Sequence, residues 1–174
     1  MPFFRIAKTF EVEYGHRLSK HPEKCRFPHG HSLKIEVVAR GMILDDNDMV
    51  CDYKALKMLV VDLVERLDHA MALNSEDPQL EGLRTIGERV LLFDGQDPTT
   101  EVLVRWLYEQ ISERIDADGT VRTPSGATYE IPEGLQLERV RVWETSTSWA
   151  ESVGIEYSRA RDRVRVPVRF VARD

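Results

Sequence analysis

The chain has 174 residues, 42% apolar and 31% charged, the balance of a single soluble globular domain over 1–174 and not of a disordered segment. A formal net charge of -6 argues against nucleic acid or anionic lipid as a partner, and two cysteines cannot build the disulfide framework of a small secreted domain. The opening "MPFFRIAKTF" lacks an apolar core of signal-peptide length and no run approaches a membrane span, so the reading is a cytoplasmic, thiol-reduced protein.

Residues 3 to 14 alternate, with Phe4, Ile6, Phe10, Val12 and Tyr14 in one phase, the pattern of a strand with one buried face. Residues 32 to 40 alternate again through Leu33, Ile35, Val37 and Ala39. Asp52 is placed to cap a helix of about four turns, whose face is Leu56, Leu59, Val60, Leu63, Val64 and Leu67, with "LDHAMALN" as its end. Residues 75 to 97 are polar and mixed and read as an elaborated loop.

"DPTTE" reads as a second helix start with Asp97 as its cap, followed by a face of Leu103, Trp106, Leu107 and Ile111. Residues 116 to 134 are turn-rich and have room for a small hairpin. "LQLERVRVWET", "SVGIEY" and "RVRVPVRFVA" are strand candidates, the last within a basic tail, 158–174. Strands, then helices, then strands indicate an α+β sheet.

The heptad "CRFPHGH" concentrates a thiol and two of the five histidines of the chain. His29 and His31 are two apart and project to one side of an extended chain, continuing the phase of Leu33. His16 continues the phase of Val12 and Tyr14. A lone histidine of this kind is more often a hydrogen-bonded core residue. Three at strand ends favour zinc, because three imidazoles leave the open position that a catalytic site keeps.

Cys25 lies between Lys24 and Arg26, a cationic setting that favours a nucleophile or base, with direct coordination of the metal as the rival role. Cys51, in "MVCDY", reads as a small buried hydrophobe. Glu144 shares the phase of Val140 and Val142, which puts a carboxylate on the apolar face unless it turns to solvent past the strand end. Lys20, Lys24 and Arg26 are candidate phosphate partners, or simply solvated charge.

The stretch "GHRLSKHPEKCRFPHGHSLKIEV" resembles the signature of the 6-pyruvoyl- and 6-carboxy-tetrahydropterin synthase family, a histidine followed by Cys-x-x-x-His-Gly-His leading into a strand. "MVCDYKALK", "RLDHAMALN", "DPTTEVLVRWLYEQI" and "VRVWET" follow in the family's order, across most of residues 3 to 156. The resemblance implies the T-fold, an antiparallel sheet with two helices on one face, whose subunits form barrels as a homo-oligomer, a dimer of trimers, with sites between subunits. It implies zinc on His16, His29 and His31, and Cys25 as the catalytic thiol with Asp68 and His69 as proton-transfer partners. Glu144 would anchor a pterin, outside the histidine set, helped by Thr99 and Thr100, which can equally be a plain helix cap.

The implied reaction converts 7,8-dihydroneopterin triphosphate to 6-carboxy-5,6,7,8-tetrahydropterin, the queuosine-pathway product, releasing acetaldehyde and triphosphate. The alternatives are the pyruvoyl-forming reaction without carbon–carbon cleavage, a lyase acting on dihydroneopterin, and a non-catalytic zinc-dependent pterin- or purine-binding protein. The chain departs from the family in its extra length and in "YG" before His16, where small residues are usual.

Overall fold

The structure is a computed structural model that describes residues 3–85, 89–117, 119–154 and 167–170. Its first two strands, β1 (Phe4–His16) and β2 (His29–Gly41), pair antiparallel from Phe4↔Gly41 to His16↔His29. Directly opposed residues share a face, so the two alternating patterns combine into one apolar surface. Val12, Tyr14, His16, Leu33, Ile35, Val37 and Ala39 are buried on it.

Strand β7 (Gln136–Trp143) continues the sheet antiparallel beyond β2, and β8 (Trp149–Val153) follows it. The eighth strand starts at Trp149 and takes in Ser152 and Val153 of the expected "SVGIEY" strand, whose residues from 155 on lie outside the described ones.

On the other side of β1 the sheet turns parallel, so the expected antiparallel sheet is extended by parallel pairings. Strand β3 (Ala70–Asn74) pairs parallel to β1, and β4 (Val90–Phe93) parallel to β3. The segment "AMALN" is therefore a strand and not a helix end, and residues 75 to 97 are more than a loop. They hold β4 and the short α3 (Leu80–Arg84). Three of the four residues of "VLLF" are buried, the continuous apolar run of a parallel strand covered on both faces. Of the basic tail, β9 (Val168–Phe170) pairs with β4; most of the rest lies outside the described residues. The order is β8-β7-β2-β1-β3-β4-β9.

The helix after Asp52 comes in two pieces, α1 (Tyr53–Met58) and α2 (Val61–Leu67). The Asp52 side chain accepts from Lys54 N at 2.6 Å, as a cap should. The interruption at Leu59 and Val60 keeps the stripe, and all six residues read as its face are buried. Helix α4 (Thr100–Ala117) buries Leu103, Val104, Trp106, Leu107, Ile111 and Ile115. The hairpin read in residues 116 to 134 is there as β5 (Thr120–Arg122) and β6 (Thr128–Glu130).

Asp97 does not cap α4. Thr99 does, its hydroxyl accepting from Val102 N at 3.3 Å. The Asp97 carboxylate is committed elsewhere: it accepts from Ser19 Oγ at 2.6 Å, Lys20 N at 2.7 Å and Asn74 Nδ2 at 3.1 Å. Those bonds tie the turn after β1 to the end of β3 and to the segment leading into α4.

Burial pushes the Asp97 carboxyl up, but these donors outweigh it and hold the group below the usual carboxylate range. Its folded pKa is thus lower than its unfolded one, so its contribution is present above about pH 4 and fades as pH falls through the folded value. Asp97→Ala is expected to cost about 1–3 kcal/mol in urea unfolding at neutral pH, from three donors left unpaired. The deficit should shrink in acid. An equal deficit at pH 7 and pH 2.5 would contradict this role.

Candidate metal and ligand site

Because β1 ends where β2 begins, the register sets His16 opposite His29 and Tyr14 opposite His31. The three imidazole centroids are 4.5, 5.2 and 5.1 Å apart. His16 is only 2% exposed, while His29 and His31 are half-buried.

Two rings are oriented by main-chain carbonyls. His16 Nδ1 donates to Pro98 O at 2.9 Å and His29 Nδ1 to Phe27 O at 2.8 Å. A carbonyl only accepts, so both protons sit on Nδ1 and both Nε2 atoms present lone pairs. These two Nε2 atoms face each other at 3.0 Å. Lone pairs repel at that separation unless a cation is shared between them. His31 Nε2 is buried with no hydrogen-bond partner, and one donor atom from each ring lies within 4.8 Å of the others.

Burial lowers the pKa of His16, and its neighbours His29 and His31 add to that, against the opposing effects of the Pro98 carbonyl and Glu144. The ring is therefore held neutral, as a metal ligand must be. Backbone carbonyls behind two imidazoles are the usual outer support of ligating histidines. The donor set fits a borderline divalent metal ion.

Glu144 lies just beyond the end of β7, on the face expected from its parity. Its Oε1 is 3.5 Å from His16 Nε2 and 3.6 Å from His31 Nε2. It flanks the cluster and supplies negative charge beside it, while the converging donor atoms are those of the three histidines.

A cavity of about 670 Å³ opens beside the histidines, with His29, His31, His69, Met71 and Arg89 in its wall. The pair Asp68–His69 is made by a turn, not a helix. Asp68 follows the last residue of α2, and His69 has φ 56°, a left-handed conformation that folds the two side chains together. Asp68 Oδ2 accepts from His69 Nδ1 at 2.8 Å, leaving His69 Nε2 free to take a proton. Asp68 Oδ1 meanwhile accepts from Glu13 N at 2.9 Å, which fixes the turn against β1. The Glu13 amide, foremost, and then His69 hold the Asp68 carboxyl below its usual range.

Cys25 sits half-buried in a single 3-10 turn, Lys24–Arg26, joined to the end of β1 by Leu18 N donating to the Cys25 carbonyl at 3.0 Å. Its sulfur is outside the group of converging donor atoms, so the thiol is not placed as a ligand. No described hydrogen bond joins it to Asp68 or His69 within the chain. Cys51 is buried, and burial, with Asp52 nearby, pushes its thiol up to about 11, which suits an inert core residue. Thr99 and Thr100 open α4 directly after Pro98, the residue whose carbonyl orients His16.

The candidate phosphate partners divide. Lys20 Nζ donates to Gly95 O at 3.0 Å, whereas Arg26 lines a cavity of about 360 Å³ with Arg17 and His21. Arg17, buried and paired with Asp77, was not singled out from the sequence, and neither was Tyr14 as a polar group. For Tyr14 the signal was present: it has the same phase as His16.

An antiparallel sheet extended by parallel strands and backed by helices, with three histidines converging at one strand end, defines a T-fold protein with a metal-site geometry. The sequence matches the 6-pyruvoyl tetrahydropterin synthase family over residues 5–154, and the chain belongs to that family. It is 28% identical over 167 residues to the 6-carboxy-5,6,7,8-tetrahydropterin synthase of Aquifex aeolicus, covering 85% of this chain and 96% of that protein. In fold it resembles an uncharacterized Wolinella succinogenes protein, with TM-score 0.72 and 22% identity over 89% of this chain and 100% of that one. The Caenorhabditis elegans 6-pyruvoyl tetrahydropterin synthase aligns with TM-score 0.58 and 20% identity, over 89% of this chain and 98% of that one. No described helix is long and apolar enough to cross a membrane.

The convergence of imidazole lone pairs sets a direct test. Metal-stripped protein is expected to bind about one zinc ion per chain, and His31→Ala or His29→Ala to lose at least tenfold in affinity. Cys25→Ala should bind zinc as wild type does. Metal analysis after dialysis measures both, and unchanged affinity in the histidine variants would remove the site.

Proposed function

We propose that the protein is a zinc-dependent pterin synthase that converts 7,8-dihydroneopterin triphosphate to 6-carboxy-5,6,7,8-tetrahydropterin, with release of acetaldehyde and triphosphate. The observation that carries this reading is the pair of Nε2 lone pairs facing each other at 3.0 Å beside the Glu144 carboxylate. Family membership and the carboxy-forming activity named for the Aquifex aeolicus relative support it.

His16, His29 and His31 would hold the zinc, and bound there it supplies Lewis-acid polarisation of side-chain oxygens of the substrate. Three protein ligands leave a position for such an oxygen. Glu144 binds the pterin, because a carboxylate matches two neighbouring N–H groups of its 2-aminopyrimidinone edge. Thr99 and Thr100, at the start of α4, would add hydrogen bonds to that ring.

Cys25 and His69 move protons between the side-chain carbons and the ring. Asp68 holds His69 with its proton on Nδ1, so that Nε2 is the working atom. Cys25 and His69 are not hydrogen-bonded within one chain, which suits completion of the site by a second copy in a homo-oligomer, a dimer of trimers. Arg26, next to Cys25 in the chain and in the wall of the smaller cavity, is the candidate partner for the triphosphate that leaves.

Incubation of zinc-loaded protein with 7,8-dihydroneopterin triphosphate, with products identified by mass, tests the activity. The expected products are the 6-carboxy pterin and acetaldehyde; 6-pyruvoyl-tetrahydropterin would instead assign the reaction without carbon–carbon cleavage. Cys25→Ala should lose at least a hundredfold in turnover, in line with removal of a general acid–base group, and Cys51→Ala should change it little. For Glu144→Gln the expected loss is at least tenfold in pterin affinity, the effect of about 1.5–3 kcal/mol for a hydrogen bond to a charged group. Its zinc content should stay that of wild type, because three histidines complete the ligand set. Indistinguishable pterin titrations would place the anchor elsewhere.

A further inference from the structure

Four buried side-chain atoms among the described residues have no hydrogen-bond partner, and two of them belong to residues directly opposed across β1 and β2. They are the Tyr14 hydroxyl and His31 Nε2. Buried polar groups are rarely left unpaired, so two orphans on opposed residues of one sheet face at a candidate site point to an absent occupant. A metal ion satisfies the imidazole nitrogen. It does not satisfy a phenol, which is neutral near pH 7 with an ordinary pKa of about 10 and acts there as a hydrogen-bond donor. The hydroxyl needs an acceptor close to the metal position and not the metal itself.

Its surroundings narrow that acceptor. Tyr14 is 3% exposed, so bulk water does not reach it. Its ring lies 5.6 Å from that of His16, and Glu144 is the charged group whose field acts on it. The Tyr14 side chain is thus walled in by the histidine cluster, the carboxylate and the core. An oxygen of a ligand bound at the histidine–carboxylate site would supply the acceptor that the hydroxyl lacks.

We propose that the Tyr14 hydroxyl donates a hydrogen bond to a side-chain oxygen of the ligand held at the histidine–carboxylate site, and so makes this chain selective for pterins with a hydroxylated side chain. The inference rests on the pterin reading above and adds a residue to it.

Tyr14→Phe deletes the hydroxyl and keeps the ring. Two probes are titrated against zinc-loaded wild type and variant by fluorescence: 7,8-dihydroneopterin, with a trihydroxypropyl side chain, and 6-methylpterin, with none. The variant is expected to bind dihydroneopterin about three- to tenfold more weakly and 6-methylpterin within twofold of wild type. Zinc content should be equal. The melting temperature of the zinc-free variant should be no lower than that of wild type, because removing an unpaired buried hydroxyl breaks no bond.

Equal dihydroneopterin affinities would overturn the inference while leaving the pterin reading in place. Equal weakening for both probes with a lowered zinc-free melting temperature would also overturn it, by making Tyr14 structural. Wild type that binds neither probe would overturn the pterin reading and this inference together.

Discussion

The antiparallel pairing of β1 with β2 places every other feature of the site. Its thirteen-residue strands run in register to the pair His16↔His29, and a slip of one residue would turn the apolar rows of one strand to the wrong face. The cost of exposing Val12, Leu33, Ile35 and Val37 holds the register. The imidazoles are carried into place by side chains that take no part in chemistry. The histidines sit at the end of the pair, where the core gives way to a cavity, so burial can keep His16 neutral while His29 and His31 stay within reach of a ligand.

Around that pair the molecule divides support from reactivity. Main-chain carbonyls of Phe27 and Pro98 fix the imidazole protons, and Asp97 fastens the segment before Pro98 to the turn after β1. Asp68 does the same for His69, using a left-handed turn to set a carboxylate beside an adjacent imidazole. Each reactive nitrogen is directed by a partner that accepts from its other nitrogen, and the one ring without such a described support is His31.

Legibility from the sequence followed the range of the interaction. The parity of His16, His29 and His31 was readable because side chains alternate along any strand, and the cap at Asp52 because capping spans only two or three residues. The same reasoning failed at Asp97, where the local role of a helix cap lost to three distant donors and passed to Thr99. It failed again over 75 to 97, where a polar stretch conceals the four apolar residues of β4. A strand that short, paired parallel, announces itself only through its neighbours.

By itself the sequence determined which side chains alternate together, that three imidazoles and a carboxylate belong to buried phases, and which family the motifs resemble. Bond geometry along the chain is enough for that. Tertiary structure alone decided that Pro98, 82 residues from His16, supplies the carbonyl that sets its proton, and that Glu144 comes within 3.6 Å of two of the imidazoles. It also decided that the Tyr14 hydroxyl is buried without a partner. Those outcomes depend on which distant segments close against one another, and loop closure and core packing settle that for the whole chain at once.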